Sequence, residues 1–518
     1  MSEIVPSPVP AVSLKNIEPK NSLALITNLL NAIHLAQINY CHWKSNEHLD
    51  ASMTGDTDLD MLFDEKQKKS VVQLLQTLGF KQFNSIRQKQ YKDIEDFIGL
   101  DYPSGKIIHL HTHFRLTMGE PYLKGYQLNL EDQILSGRVF DATFGIYRIS
   151  PAFEWIMLCF REALKIRNRD VVAMHLKNKV YYNGKIMREY HWLKQRSTVP
   201  EVEAILKSLF VNHQPYLQLV TGAFNRKQLH RLSVLLKKEF KSQRLYTPLQ
   251  ALVLRWYREL SITFLRKTAR HISSPIVSQR INPRGGLVIA IIGADGSGKS
   301  TVIAHLHSTF RKKLDVYRIY MGKGKANAAS WPRKLLLLFK KKPAAKSVKK
   351  PFVTTGTGER ENNQVVKTNL FRCIEALMVA YEKSRKLKQI SAAKKKGMLV
   401  ICDRYPQNQL VGYNDGPVLH HLLQSPNPVY RAIAQMEERV CTYAAQNPPD
   451  VVFKLVADAK TIADRKPSGA TFEMLEQKIE GIKNLMFAEK CHVVTIDATQ
   501  PLEKVLCNIK KEIWEAYP

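Results

Sequence analysis

The sequence feature that most constrains the fold is a glycine-rich segment at residues 293–301, Gly-Ala-Asp-Gly-Ser-Gly-Lys-Ser-Thr. It matches the pattern GxxxxGK[ST] and lies between an apolar run, LVIAIIG, and a stretch with helical spacing, TVIAHLHSTFRKKL. The glycines let backbone N–H groups turn toward phosphate oxygens, and the helix adds the positive end of its dipole. We therefore predict a phosphate-binding loop for ATP or GTP. The alternative, a glycine-rich turn without a ligand, is disfavoured by the flanking strand and helix.

The residues of this loop have distinct predicted roles. Lys299 is expected to reach the β- and γ-phosphates, and Ser300 is expected to ligate Mg²⁺. The predicted nucleotide-binding residues are Gly293, Asp295, Gly296, Ser297, Gly298, Lys299, Ser300 and Thr301.

A second apolar run, MLVICD (398–403), ends in a carboxylate, Asp403. A carboxylate at the carboxyl end of a neighbouring parallel strand faces the phosphate loop, where it can ligate a metal or act as an acid–base group. The alternative interpretation is an aspartate that caps the next helix.

Residues 285–518 alternate apolar β-like runs with helical stretches, which predicts an α/β domain with a three-layer parallel sheet. The segment GADGSGKST, followed a hundred residues later by CDRY, resembles the thymidylate kinase family of P-loop kinases. The similarity extends to PDVVFKLVADAKTIADRK (449–466) and to VVTIDATQPLEKVLCNIKKEIW near the end of the chain.

This resemblance implies a Mg²⁺-dependent transfer of phosphate from ATP to a nucleoside monophosphate or to another phosphorylated or sugar acceptor. It implies that Asp295 faces the acceptor sugar, and that Asp403 and Arg404 lie beside the metal and the acceptor phosphate. Arg465, with Lys466, would be the lid cation that covers the transferring phosphoryl oxygens.

The chain departs from that family at three places. The segment VYRIYMGKGKA (316–326) stands where the family has a TREPG-like sequence, and NDGP (414–417) replaces the usual acceptor contacts. Glu382–Lys383 occupies the place expected for an arginine near the nucleobase. The fold and phosphoryl transfer are therefore better supported by the resemblance than the identity of the acceptor.

A different pattern appears near the N-terminus, where Asp58 and Asp60 alternate with apolar residues in GDTDLDMLF. Residues two apart on a strand project from one face, so the two carboxylates can grip one divalent cation. Together with the upstream HWKS (42–45), this pattern resembles the nucleotidyltransferase fold over about residues 35–120. That resemblance implies a third carboxylate on a neighbouring strand.

The candidate neighbouring strand, KIIHLHTHF, offers imidazoles instead of a carboxylate. His109, His111 and His113 alternate with apolar residues and share one face. They could complete a metal site with Asp58 and Asp60, because neutral imidazole suits transition metals better than Mg²⁺. The alternative is a polar strand face in a domain that binds without catalysing.

Sequence patterns and charge divide the 518 residues into predicted domains. We predict a mobile tail (1–20), an α+β nucleotidyltransferase-like domain (21–150) and a helical domain with basic outer faces (151–280), followed by the kinase-like domain with a Lys-rich insert (322–352). The net charge is +32, of which residues 151–280 carry +16 and residues 311–350 carry +13. This excess predicts an anionic partner.

The insert suggests a membrane contact. Its segment Trp331–Lys342 places a tryptophan and four leucines between cationic flanks, which suits an anionic bilayer surface. The alternative is a solvated insert.

The dispersed cysteines, without a CxxC pair, predict reduced thiols. With no secretory pattern or bilayer-length apolar run, we expect a cytoplasmic protein, peripheral at the inner membrane face.

Two other functions stay open at this point. One is an NTP-binding regulator or assembly factor that docks on a membrane or a complex. The other is nucleic-acid end processing, which we rate lower because the helical region lacks interleaved aromatic residues that stack on bases. The combined architecture resembles bacterial proteins associated with surface-polysaccharide assembly.

Overall fold

The computed structural model describes residues 22–177, 184–271, 274–322, 370–412, 414–466 and 471–518. The chain forms two compact units, Met1–His271 and Ile272–Pro518. The predicted tail lies outside the described residues, and so do all but the first residue of the predicted insert and the whole of Trp331–Lys342. The predicted α/β class is confirmed.

Two chain-wide features can be stated for the described residues. None of their helices has both the length and the hydropathy that a bilayer crossing requires. All seven cysteines carry free thiols, and six of them are buried.

The first unit is built on a mixed sheet. Seven of its strands lie in the spatial order β3-β4-β5-β2-β1-β9-β8, and β6 and β7 form a separate hairpin. The strands are β1 (Tyr40–His42), β2 (Leu59–Phe63), β3 (Lys81–Ser85), β4 (Ile94–Asp101), β5 (Lys106–His113), β6 (Leu116–Met118), β7 (Tyr126–Leu128), β8 (Val139–Asp141) and β9 (Ile146–Arg148).

The pairing at the centre of this sheet positions the polar residues. Strand β5 runs parallel to β2 and antiparallel to β4, so β2 and β4 flank it on its two sides. On β2, Leu59, Met61 and Phe63 are buried in one hydrophobic cluster, and on β5 the cluster includes Ile108 and Leu110. The alternation of strand side chains therefore sends the intervening Asp and His residues to the opposite face.

Eleven described helices belong to this unit. They are α1 (Ala24–Leu35), α2 (Leu49–Met53), α3 (Lys68–Thr77), α4 (Glu131–Ser136), α5 (Pro151–Leu164), α6 (Asn168–Lys177), α7 (Gly184–Gln195), α8 (Val199–Leu209), α9 (Gln214–Thr221), α10 (Arg226–Glu239) and α11 (Pro248–His271).

Helix α5 is the centre of the helical part. Pro151 occupies its first turn, the Ser150 hydroxyl accepts a hydrogen bond from Phe153 N, and twelve of its fourteen residues are buried. One hydrophobic cluster joins α5 and the helices after it to Cys41 and Leu62 of the sheet. Residues on both sides of the boundary predicted at 150 thus share one core.

Helix α11 departs from the expectation of basic outer faces. Seven large apolar side chains of this helix are exposed, including Trp256 and Phe264. Its apolar stripe faces solvent because the basic residues Arg255 and Arg258 are bonded to the body of the unit.

The second unit contains a five-stranded sheet in which every pairing is parallel, in the order β12-β13-β11-β14-β15. The strands are β10 (Arg280–Ile281), which lies outside this sheet, β11 (Leu287–Gly293), β12 (Val316–Tyr320), β13 (Leu399–Asp403), β14 (Val451–Val456) and β15 (His492–Asp497). The helices are α12 (Lys299–Arg311), α13 (Leu370–Lys395), α14 (Pro428–Gln446), α15 (Ala459–Arg465), α16 (Phe472–Asn484) and α17 (Leu502–Ala516).

The strand order fixes where a ligand can bind. The chain leaves the central strand β11 for the edge strand β12, returns to β13, and then crosses to β14 on the other side. Right-handed crossovers place α12 on one face and α13, α14 and α16 on the other. Ligands of such sheets bind outside the carboxyl ends of the strands at the point where the order reverses, which here is the end of β11.

Candidate functional site

The glycine-rich loop connects β11 directly to α12, as predicted. Gly298 is the residue before the helix and has φ +89°, and Gly296 has φ +102°. A Cβ on Gly296 would lie 3.0 Å from Ile462 Cγ2 and 3.1 Å from Ile462 O, because α15 packs against the loop. Both the left-handed conformation and the close approach require glycine at these positions.

The side chain of Lys299 lies inside the loop and is hydrogen-bonded to its backbone. It is buried, and its Nζ donates hydrogen bonds to Gly293 O at 2.8 Å and to Ala294 O at 2.7 Å. Burial, assisted by the charge of Arg404, lowers the pKa of Lys299 to about 8. A buried ammonium against the loop carbonyls is placed to transfer its hydrogen bonds to a phosphate.

A second polar group of the loop also favours an anionic ligand. Ser297 is 2% exposed, and its buried hydroxyl has no hydrogen-bond partner among the described residues. Buried polar groups in proteins are nearly always hydrogen-bonded, so an orphan hydroxyl inside a glycine loop indicates a missing ligand. Ser300 and Thr301 are exposed in the first turn of α12.

Asp403 lies beside this loop. It is the last residue of β13 and pairs in register with Ile291 of β11, so its carboxylate stands at the switch point of the sheet. Its pKa is raised, because burial of the carboxylate outweighs the attraction of Lys299 and Arg404. The oxygen donors Ser300 and Asp403 are of the kind that hard cations such as Mg²⁺ prefer.

Arg404 is held in an unusual conformation. Its φ is +69°, and its backbone N–H donates to Ile291 O at 3.0 Å. The guanidinium contacts the carboxylate of Asp295 and donates to Asp415 Oδ2 at 3.4 Å. A non-glycine residue in the left-handed region is strained and is over-represented at functional sites.

A small cavity adjoins the loop on the Arg404 side. Its floor is a turn organised by the buried Gln407, whose Oε1 accepts the N–H groups of Gln409 and Leu410. Polar and apolar side chains share the lining, which comprises Ile292, Gly293, Arg404, Tyr405, Gln407, Asn414, Asp415, Ile482, Leu485 and Phe487. Lys383 approaches the same turn, where its Nζ donates to Asp415 O at 3.1 Å.

The two predicted lid cations have different positions. Arg465 ends α15 and donates to Ala498 O at 2.9 Å, in the loop after β15. Lys466 follows it, and a Cβ on Gly296 of the loop would lie 3.4 Å from Lys466 Cβ. Burial raises the pKa of Asp295, but the charges of Arg404, Lys299 and Lys466 together hold it below the usual value. Lys466 thus adjoins the phosphate loop.

A second cluster lies in the first unit and comprises Asp58, Asp60, Asp96, His109, His111 and His113, which we call the Asp–His cluster. The three imidazoles form a row, with ring centroids 5.7 Å apart for His109–His111 and 4.5 Å apart for His111–His113. The prediction that they share one face of β5 is thus confirmed.

Strand pairing connects the imidazoles to carboxylates on both neighbouring strands. His109 Nδ1 lies 3.0 Å from Asp58 Oδ2, and its Nε2 lies 2.8 Å from Asp96 Oδ1. His111 Nδ1 lies 2.9 Å from Asp60 Oδ1. Burial lowers the pKa of His111 and His113, which keeps both imidazoles neutral near neutral pH.

Two lysines accompany the cluster. The ammonium of Lys44 lies 2.9 Å from Asp60 Oδ1. Lys124 is half-buried near Tyr91, with its Nζ 4.3 Å from the ring centroid, and desolvation lowers its pKa to about 7. The loop that carries Lys44 is anchored by the buried Glu154, whose Oε2 accepts a hydrogen bond from Asn46 Nδ2 at 2.8 Å.

The sequence alone missed several of these residues. Asp96 supplies a third carboxylate from β4, whereas the expected position was on the strand that carries the histidines. Lys124 and Asp415 follow no recognisable spacing, so only the folded chain places them. Lys44 belongs to the HWKS segment, which is part of the nucleotidyltransferase-like pattern. Its ion pair with Asp60 follows from the pairing of β1 with β2.

Comparison with known proteins is consistent with the phosphate loop. The chain is 26% identical over 230 residues to "Uncharacterized ATP-binding protein YghR" of Escherichia coli (strain K12), covering 44% of this chain and 86% of that protein. It is 27% identical over 233 residues to "Uncharacterized ATP-binding protein YghS" of the same strain, covering 44% of this chain and 92% of that protein. No protein-family model matches the chain. The names of these relatives fit a P-loop nucleotide-binding domain.

Proposed function

We propose that the second unit is an ATP-dependent, thymidylate kinase-like phosphotransferase that acts on a nucleoside monophosphate or on another phosphorylated or sugar acceptor. The observation that carries the proposal is the position of the buried Asp403 carboxylate, in register beside the loop that holds Lys299. The names of the bacterial relatives support ATP as the nucleotide.

The charges around the loop suit phosphoryl transfer. This reaction needs little covalent help from the protein, but it needs positive charge on the transferring oxygens and the exclusion of water. Lys299 supplies a buried ammonium, Arg404 a guanidinium fixed by two carboxylates, and Lys466 a cation on the segment that adjoins the loop. Mg²⁺, held by Ser300 and Asp403, would neutralise part of the triphosphate charge.

The position of the Arg404 guanidinium beside the loop supports a phosphorylated acceptor. Arg404 can pair with an acceptor phosphate, and the Asp415 carboxylate can accept a hydrogen bond from a hydroxyl group. We therefore propose a phosphorylated acceptor, such as a nucleotide or a phosphosugar used in surface-polysaccharide assembly.

The test measures ADP release by the full-length chain with ATP, Mg²⁺ and a panel of nucleoside monophosphates, sugar phosphates and free sugars. We expect at least one phosphorylated acceptor to accelerate ADP release. Asp403→Asn should slow this reaction about 100-fold or more, because the carboxylate acts at the reacting phosphate. The matched control is Asp497→Asn, which changes an exposed carboxylate at the end of another strand of the same sheet.

Two results would contradict the proposal. One is ADP release that no acceptor in the panel accelerates while ATP still binds, which would favour an NTP-dependent regulator. The other is equal activity of the Asp403→Asn and Asp497→Asn variants.

A further inference from the structure

Within the Asp–His cluster, three side chains converge as metal ligands do. One potential ligand atom from each of Asp60, His111 and His113 lies within 4.8 Å of the other two. Strands β2 and β5 are parallel, with Asp60 directly in register with His111, so the backbone fixes this arrangement. His113 lies two residues further along the same face.

His113 provides an independent sign of a ligand. It is 1% exposed, and neither ring nitrogen has a hydrogen-bond partner among the described residues. Asp60 Oδ1 is 3.7 Å from its Nε2, beyond hydrogen-bonding distance. An imidazole whose two nitrogens lack partners is costly to bury. Binding of a metal ion to one of these nitrogens would remove part of that cost.

The donor set indicates which cation would bind. The sequence predicted a divalent cation held by Asp58 and Asp60, but the convergent set has two imidazoles and one carboxylate, which do not suit a cation that prefers oxygen, such as Mg²⁺. His109 is engaged by Asp58 and Asp96, on either side of its ring, and is not part of the convergent set. We propose that Asp60, His111 and His113 bind a divalent transition-metal cation of the zinc class.

Lys44 gives this proposal a distinctive consequence. Its ammonium lies 2.9 Å from Asp60 Oδ1 and neutralises the carboxylate that the metal would use. A cation at the site must therefore compete with Lys44 for that carboxylate. Removal of this ammonium is expected to strengthen metal binding, whereas removal of a ligand weakens it.

The experiment is a calorimetric titration of the metal-stripped, full-length chain with Zn²⁺ and, separately, with Mg²⁺. We expect one Zn²⁺ site per chain that Mg²⁺ does not occupy. Asp60→Asn and His113→Gln should each lower the Zn²⁺ affinity about 10-fold or more, and Lys44→Met should raise it. His48→Gln is the matched control, because it alters a half-exposed histidine of the same unit.

The visible absorption of bound Co²⁺ provides a second readout that does not depend on activity. The spectrum should show imidazole coordination in the wild type and lose it in His113→Gln, with circular dichroism to verify folding. Equal Zn²⁺ affinity of the wild type and both ligand variants would overturn the proposal. So would a Lys44→Met variant that binds Zn²⁺ more weakly than the wild type.

An independent observation concerns helix α11. Seven of its apolar side chains are between 44% and 71% exposed. Their spacings of three and four residues place them on one side of the helix. This set, the α11 stripe, comprises Leu249, Leu252, Val253, Trp256, Tyr257, Leu260 and Phe264.

The opposite side of α11 attaches the helix to its unit. Ile262 is 3% exposed, and Arg255 Nη1 donates to Glu120 Oε2 at 2.7 Å. Arg258 Nη1 donates to Tyr122 O at 3.1 Å. The helix is therefore held by its polar side, and its apolar side is presented to the surroundings, which is the reverse of an ordinary surface helix.

Charge decides among the possible occupants of the stripe. Residues 226–271 contain 12 lysines and arginines but only two acidic residues, so the segment that carries the stripe is strongly cationic and favours an anionic occupant over a second copy of itself. Tryptophan, tyrosine, phenylalanine and leucine in a basic segment are typical of helices that lie in a bilayer interface. We infer that the α11 stripe docks on an anionic lipid surface.

The test is co-sedimentation of the full-length chain with vesicles of phosphatidylcholine alone or with added phosphatidylglycerol. We expect binding to the anionic vesicles that weakens as salt increases. A triple variant, Trp256→Ser, Leu260→Ser and Phe264→Ser, should bind about 10-fold or more weakly, because three interfacial side chains are lost. Val211→Ser is the matched control, since Val211 is fully exposed outside the stripe.

Unchanged co-sedimentation of the triple variant would refute the membrane assignment. Size-exclusion chromatography adds a second arm. If the wild type forms a dimer that the triple variant loses, the stripe is an interface between copies of the chain and the lipid proposal is wrong.

Discussion

The two sites of this protein are built in opposite ways. The phosphate loop is one continuous segment in which backbone conformation does most of the work, with Gly296 and Gly298 at positive φ. The Asp–His cluster takes its groups from three strands, β2, β4 and β5, and depends on side chains. A site formed by the backbone of one segment can be predicted from a short sequence motif. A site formed by side chains from several strands can be identified only when the strand pairing is known.

The sites also differ in how they balance charge. Around the phosphate loop, the cations Lys299, Arg404 and Lys466 are matched in number by three carboxylates, Asp295, Asp403 and Asp415. The groups free to meet an anionic ligand are the Lys299 ammonium, which is held by loop carbonyls, and the amino end of α12. In the Asp–His cluster, carboxylates face neutral imidazoles and Lys44. The first environment attracts phosphate and the second attracts a cation, so the two units should bind different ligands without sharing them.

The largest expected effect tests whether the two sites are independent. Phe453 is fully buried on β14, beside the strand that precedes the phosphate loop. Phe453→Ala should lower the free energy of unfolding of the second unit by about 3–5 kcal/mol, because it leaves a cavity. Chemical denaturation followed together with Zn²⁺ titration measures this. Zn²⁺ affinity should stay unchanged, and a parallel loss of Zn²⁺ affinity would show that the sites are coupled.

The next largest effect measures how much the Lys299 side chain adds to the binding of ATP by the loop backbone. Lys299→Ala removes the one side chain that closes the phosphate loop, and it should reduce ATP affinity about 100-fold. Equilibrium binding of a fluorescent ATP analogue measures the change. Lys312→Ala, at the exposed C-terminal end of the same helix, should leave the affinity at the wild-type value. Equal losses in the two variants would mean that charge near α12, rather than the loop geometry, holds the nucleotide.

A third prediction concerns pH. The folded protein lowers the pKa of Lys299 to about 8, so the ammonium is lost as the pH rises above that value. ATP affinity should therefore fall by up to about 10-fold per pH unit above pH 8, because binding must then restore a proton. Lys299→Arg should remove this dependence, since arginine stays charged. A wild-type affinity that is constant up to pH 9.5 would contradict the assignment of Lys299.

The smallest expected effect is that of a helix-cap substitution, which should change stability but not the affinity of either site. Thr198 and Glu201 form a capping box at the start of α8. Thr198→Ala should lower the free energy of unfolding of the first unit by about 1 kcal/mol and change neither ATP nor Zn²⁺ affinity. Thermal unfolding and the two titrations together test this. A change in either affinity would show that helix ends distant in sequence influence the sites.

The sequence predicted the second unit better than the first. Its five apolar runs correspond to five parallel strands. The three central strands, β11, β13 and β14, are buried on both faces, which requires continuous apolar sequence. The position of Asp403 followed from the end of such a run. By contrast, the partnership of His109 with Asp96 depends on the antiparallel pairing of β4 with β5, and no local pattern encodes that register.

The α11 stripe shows a second limit of sequence patterns. Helical periodicity identifies an apolar side of PLQALVLRWYRELSITFLRKTARH, and an apolar side is normally buried. Which side of the helix faces the unit is set instead by Arg255 and Arg258, which donate hydrogen bonds to residues more than a hundred positions earlier in the chain. Periodicity gives the existence of a stripe, but only long-range contacts decide whether it faces the core or the surroundings.

The central claim, that the loop around Lys299 holds a nucleoside triphosphate, is tested most directly by calorimetric titration of the full-length chain with ATP in the presence of Mg²⁺. The account predicts saturable binding of one ATP per chain in the wild type and its loss in Lys299→Ala. A wild-type chain that shows no heat of binding with ATP or GTP, while circular dichroism reports a folded protein, would contradict it.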